Sequence, residues 1–68
     1  METKLKILKI YTDGGARGNP GPGAAGVVIK DDADKLLCNS AKYLGRVTNN
    51  QAEYQAVILG LEKAKELG

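Results

Sequence analysis

Tyr11-Thr12-Asp13-Gly14-Gly15-Ala16-Arg17-Gly18-Asn19-Pro20-Gly21-Pro22-Gly23 is the stretch on which the fold turns. The segment feeding into it, Lys4 to Thr12, is rich in Leu, Ile and Tyr and reads as a first strand. From Gly14 to Gly23, five glycines and both prolines leave room only for Ala16, Arg17 and Asn19, which predicts a loop. Beyond it, Ala24 to Lys30 carries the Val27-Val28-Ile29 run and predicts a second strand. Asp31 to Asp34 reads as an acidic turn and Lys35 to Leu44 as a third strand. Connections this short pair the strands as an antiparallel meander.

The fourth element is a helix. Thr48 followed by Gln51 forms a capping box, in which each side chain satisfies a backbone N–H of the first turn. The helix is expected over Asn49 to Leu67, with Gly68 suited to end it. Gly60 inside it costs about 1 kcal/mol relative to Ala. Val57, Leu61 and Ala64 recur at helical spacing and are expected to be the buried stripe. Lys63 and Lys65 near the C-terminus suit the helix dipole. The class is therefore α/β with an α+β layout, a three-stranded antiparallel sheet followed by one helix (βββα), and residues 1–68 make one domain at most. Strand one has Ile7 and Tyr11 on the face of Asp13, with Leu8 and Ile10 on the other, so it asks for cover on both sides. One helix cannot supply that, and the chain reads as part of a larger fold.

A chain of 68 residues buries only about 60% of its unfolded surface. Cys38 is the one cysteine and there is no histidine, which excludes an internal disulfide and a Cys/His zinc site. The free thiol suits a reducing compartment. Met1-Glu2-Thr3-Lys4 opens no apolar core of a signal peptide, and no span long enough for a membrane follows. A soluble, cytoplasmic protein is expected. The net charge of +2 does not by itself point to nucleic acid, although Lys4, Lys6 and Lys9 stud the first strand. Gly21-Pro22-Gly23-Ala24-Ala25-Gly26 matches the dinucleotide pattern letter for letter. It precedes a strand instead of opening a helix, and Pro22 removes an amide from the cradle, so that reading fails.

Two carboxylates carry the chemistry. Asp13 ends an apolar strand, where Asp before Gly-Gly is also ordinary turn chemistry. Glu53 lies four residues before Val57 and heads the expected buried stripe, with no Lys or Arg three or four residues away to pair with it. If strand and helix pack, both acids converge at a buried edge, and like charges there need a cation. Mg²⁺ takes one or two carboxylates and completes its shell with waters and phosphate oxygens. Asn19, Asn49 and Asn50 flank the same region. Their amides are either turn and helix-start chemistry or readers of 2′-hydroxyls and base edges in a wide minor groove. Arg17 and the loop amides of Gly14 and Gly15 would hold phosphate.

Residues 11–23 and Thr48-Asn49-Asn50-Gln51-Ala52-Glu53 together resemble the type 1 ribonuclease H family, the first block its opening strand and loop, the second the start of its first helix. The resemblance implies that Asp13 and Glu53 are the first two acids of a carboxylate site binding two Mg²⁺ or Mn²⁺ ions. It implies that Gly14, Asn19, Thr48, Asn49, Asn50 and Gln51 line a groove for the RNA strand. The implied reaction is endonucleolytic cleavage of RNA in an RNA–DNA hybrid, leaving a 3′-hydroxyl and a 5′-phosphate. No residue matches the later acids of the family, and the histidine that often assists is absent. The expectation is therefore an N-terminal half of the ribonuclease H fold, completed by homodimerisation through strand 4–12 so that two copies contribute four acids. Mn²⁺ would tolerate such an imperfect site better than Mg²⁺. The competing expectations are a half-domain that binds hybrid or double-stranded RNA without cutting, and an inactive structural fragment.

Overall fold

Alternation along the second strand decides which side of the sheet is covered. Gly21, Gly23, Ala25, Val27 and Ile29 are buried, while Pro22 and Ala24 between them are exposed. The computed structural model describes residues 7–68 and orders them as β1 (Leu8–Ala16), β2 (Gly21–Asp31), β3 (Leu36–Val47) and α1 (Asn49–Leu67). The sheet runs β1-β2-β3, antiparallel throughout, with β1 and β3 at its edges. The expected beginning of strand one at Lys4, and Lys4 and Lys6 with it, lie outside the described residues.

The core is small and sits between β2 and α1. Ala25, Val27 and Ile29 meet Ala52 and Ala56, all five at most 2% exposed. The predicted buried stripe is thereby corrected. The covered line on α1 is Ala52, Ala56 and Gly60, whereas Val57 and Leu61 are exposed and Ala64 is half-buried. The reason is close approach. A Cβ on Gly60 would stand 2.8 Å from Thr12 Cγ2 and 3.2 Å from Ile10 Cγ2, so only the smallest residues fit between helix and sheet. The bulkier Tyr54, Val57 and Leu61 are turned to the flank, where nothing among the described residues covers them.

The predicted loop contracts to Arg17–Pro20. Gly14 to Ala16 continue β1 and Gly21 to Gly23 begin β2, paired as Gly14 with Ala25, Gly15 with Ala24 and Ala16 with Gly23. These glycines serve packing. A Cβ on Gly21 would run into the Arg17 carbonyl, and one on Gly23 into the Val47 side chain. Within the turn, the Arg17 N–H donates to the Pro22 carbonyl at 2.9 Å, and Gly18 takes the left-handed φ of 81°.

β3 runs three residues past the expected Leu44. It does so through a bulge in which Leu44 has no partner and Gly45, at φ 75°, stands opposite Gly23. At the other end, the acidic turn is closed by the Asp31 carboxylate, which accepts from the Ala33 and Lys35 N–H groups at 2.8 and 2.9 Å. Lys9 reaches Asp34 at 2.9 Å. The helix has the predicted bounds. No helix among the described residues is long and apolar enough to cross a membrane.

Candidate active site

Gly14 sets the distance between β1 and α1. A Cβ at that position would collide with the Ala52 carbonyl and lie 2.8 Å from the Glu53 nitrogen. Its absence lets the first turn of the helix rest against the strand, one residue from Asp13. The result is a cleft of about 320 Å³ at the free edge of β1, lined by Thr12, Asp13 and Gly14 from the strand and by Glu53, Ala56 and Val57 from the helix.

Asp13 and Glu53 thus line one cleft, as anticipated, but the edge is exposed and not buried. Glu53 is one residue around the helix from the covered Ala52–Ala56 line, which corrects its expected place on a buried stripe. Neither carboxylate has a hydrogen bond or ion pair among the described residues, whose salt bridges are Lys9–Asp34 and Lys63–Glu66. No Lys or Arg lines the cleft. Two hard oxygen donors without a neutralising neighbour fit a hard divalent cation that keeps open positions for water or phosphate. Among the described residues no group of three or more His, Cys, Asp or Glu side chains gathers.

The asparagines form a relay between the β1–β2 turn and the helix start. The Asn49 N–H donates to Asn19 Oδ1 at 3.0 Å, and the Ala16 N–H donates to Asn49 Oδ1 at 2.8 Å. Thr48 and Gln51 complete the predicted capping box: the Gln51 N–H donates to Thr48 Oγ1 at 3.1 Å and the Thr48 N–H to Gln51 Oε1 at 2.8 Å. The amide oxygens of Asn19, Asn49 and Gln51 are therefore turned onto backbone, which leaves their NH₂ groups as the donors for anything outside. Asn50 is exposed. Gly15 lies beside Asn49, where an added Cβ would stand 4.0 Å from Oδ1.

Arg17 departs from the expected cluster. It lines a separate groove with Gly15, Gly23, Ala24 and Tyr43. The expectation that Asn19 and Asn49 flank one region did not foresee the relay that links them. Its partners are 30 and 33 residues apart, and no local pattern encodes such pairs.

Residues 5–67 match the family model described as RNase H. Over 65 residues the chain is 48% identical to the bifunctional protein Rv2228c of Mycobacterium tuberculosis, covering 94% of this chain and 18% of that one. Over 58 residues it is 47% identical to ribonuclease HI of Halobacterium salinarum, covering 85% of this chain and 29% of the relative. Among solved structures, LC11-RNase H1 in complex with an RNA/DNA hybrid superposes with a TM-score of 0.87 at 53% identity, over 91% of this chain and 45% of that one. RNase H1 of Halobacterium salinarum gives 0.87 at 44% identity, over 90% and 46%. The chain spans less than half the length of each of these relatives.

Proposed function

We infer the function from one premise: this chain belongs to the RNase H family. Its βββα arrangement corresponds to the N-terminal half of that fold. We propose that it cleaves the RNA strand of an RNA–DNA hybrid in a divalent-metal-dependent reaction, with Asp13 and Glu53 as the metal-holding acids. The observation that carries this is the pairing of both carboxylates on one exposed cleft with no basic residue in its lining. The hybrid seen with LC11-RNase H1 belongs to that protein and supports the same substrate class here.

The chain's own groups have distinct tasks in this reading. Asp13 and Glu53 would hold Mg²⁺ or Mn²⁺, which supplies Lewis acidity toward a phosphate oxygen and acidifies a bound water. Without a cation the same two acids repel a phosphodiester, so the metal-free protein binds substrate weakly. Gly14 keeps the acids adjacent. The NH₂ groups of Asn19, Asn49 and Gln51, with exposed Asn50, offer donors to 2′-hydroxyl and base-edge acceptors of the RNA strand. Hydrolysis adds water across the P–O3′ bond and leaves a 5′-phosphate and a 3′-hydroxyl.

Two carboxylates are a sparse set for this chemistry, and we propose that a second copy completes it. β1 is an edge strand whose outer N–H and C=O groups can pair with another chain. Beside it lie Ile7, Ile10, Tyr54, Val57 and Leu61, each at least 38% exposed. Pairing through strand 4–12 would cover this apolar flank and bring a second Asp13 and Glu53 to the edge.

The test is hybrid cleavage across a metal titration by the unaltered protein, Asp13→Asn and Glu53→Gln, with sedimentation of each. Metal-dependent cleavage lost in both variants supports the reading. Cleavage that survives either substitution at saturating metal overturns it. Tight hybrid binding with no cleavage at any metal concentration would favour a binding half-domain, in keeping with the absence of a third acid among the described residues of the cleft.

A further inference from the structure

Beyond the carboxylates, the sheet carries a second concavity that the cleavage chemistry does not use. Gly15, Arg17, Pro22, Gly23, Ala24 and Tyr43 line an open groove of about 610 Å³ that shares no lining residue with the carboxylate cleft. Its floor is set by successive cross-strand pairs, Gly15 with Ala24 and Ala24 with Tyr43, so nothing larger than a methyl group rises from the middle. Its wall is the Tyr43 side chain, 72% exposed. The bulge at Leu44 and Gly45 immediately follows Tyr43, and bulges of this kind re-aim the neighbouring side chains.

The charge around the groove has one sign. Arg17 lines it, Arg46 stands opposite Pro22 in the register, and neither the lining nor β3 contains a carboxylate. The side chains of Arg17 and Tyr43 have no hydrogen-bond or ion-pair partner among the described residues. An aromatic face above a flat floor, with a guanidinium at the rim and no acid, suits a planar π-system tethered to a phosphate.

We propose that this groove seats an unpaired nucleobase from a single-stranded extension of the hybrid, the base stacking on Tyr43 and its phosphate on Arg17. The inference rests on the nucleic-acid reading of the carboxylate cleft. Paired bases are already stacked and present only their edges, so the groove selects unpaired ones. Gly15 is two residues from Asp13 on the same sheet face, about 7 Å along the strand. A tail leaving a duplex seated at the carboxylates therefore comes to the groove within a nucleotide or two.

The experiment compares a labelled blunt hybrid with the same hybrid bearing a short single-stranded tail. Binding is followed by fluorescence anisotropy at matched salt, in an Asp13→Asn background that leaves the strands uncut. The tailed hybrid is expected to bind about tenfold more tightly than the blunt one. Its salt slope should be steeper by about 0.7 for the extra phosphate. Tyr43→Phe keeps the gain, whereas Tyr43→Leu abolishes it and leaves blunt-hybrid affinity unchanged. Because Tyr43 is largely exposed, neither change threatens the fold, and circular dichroism checks that.

Equal affinity for blunt and tailed hybrids overturns the groove while leaving the cleavage reading intact, and so does a tail gain that persists in Tyr43→Leu. A Tyr43-dependent affinity for a bare single strand, in a protein that never cuts hybrid, supports the groove and sinks the cleavage reading. Failure to bind any of these nucleic acids overturns both.

Discussion

Asp13 and Glu53 are neighbours because of an atom that Gly14 lacks. Gly14→Ala would drive a Cβ into the Ala52 carbonyl, a backbone group that cannot swing aside. The expected cost is roughly 1–3 kcal/mol or more, read as a fall in melting temperature, with cleavage reduced as strand and helix separate. Gly15→Ala is the internal control: its Cβ would have only Asn49 Oδ1 at 4.0 Å, so stability should stay within about 0.5 kcal/mol. Asp13→Asn and Glu53→Gln should each abolish metal-dependent cleavage while metal-free melting holds or rises, because each removes one of two exposed like charges. A clear loss of metal-free stability would instead mark the acid as a structural partner. That Asp13 and Glu53 would face one cleft was legible in the sequence, although the buried stripe expected to carry Glu53 is not the line on which the helix packs. Gly14 was misread as loop because its requirement comes from a helix that begins 35 residues later in the chain.

The best-read element was α1, and the reason is that its signals are local. Thr48, Gln51 and Gly68 mark its ends by contacts within a few residues. Thr48→Ala should cost about 1 kcal/mol, seen in thermal or urea melts. Its covered face was misread, since periodicity favours Val57 and Leu61 over the small residues that a close helix–sheet contact selects. Gly60→Ala tests that correction. Helix propensity alone promises a gain of about 1 kcal/mol, but the new Cβ would sit 2.8 Å from Thr12 Cγ2, so the net change should be a loss.

The β2–β3 turn makes a pH prediction. The Lys9 hydrogen bond, and then its charge, hold the Asp34 carboxyl below its usual 3.8, while Asp34 in the same order holds Lys9 above 10.5. The Asp34 contribution is present above its unfolded value and is lost as pH falls through the lowered one. The Lys9 contribution is present below 10.5 and is lost as pH rises through the raised one. Both groups are exposed, so Lys9→Met should melt close to the unaltered protein at neutral pH. The small difference between them should close in strong acid.

At the scale of the molecule, one unfinished surface joins the outer edge of β1 to the Tyr54, Val57 and Leu61 side of α1. The sequence announced incompleteness through apolar residues on both faces of strand one. It could not show that α1 itself would present an uncovered apolar side. If two copies meet there, melting temperature must rise with protein concentration. Leu61→Glu should lower it and yield a monomer by sedimentation, whereas a concentration-independent melt would exclude self-association. The nearest-neighbour order of the strands also sets a tempo. Each pairs only with the one beside it in sequence, a topology of short searches that folds quickly. If a second copy pairs at the edge, its capture depends instead on encounter. Refolding should therefore run on two clocks, an early phase indifferent to dilution and a later one that slows in proportion to it.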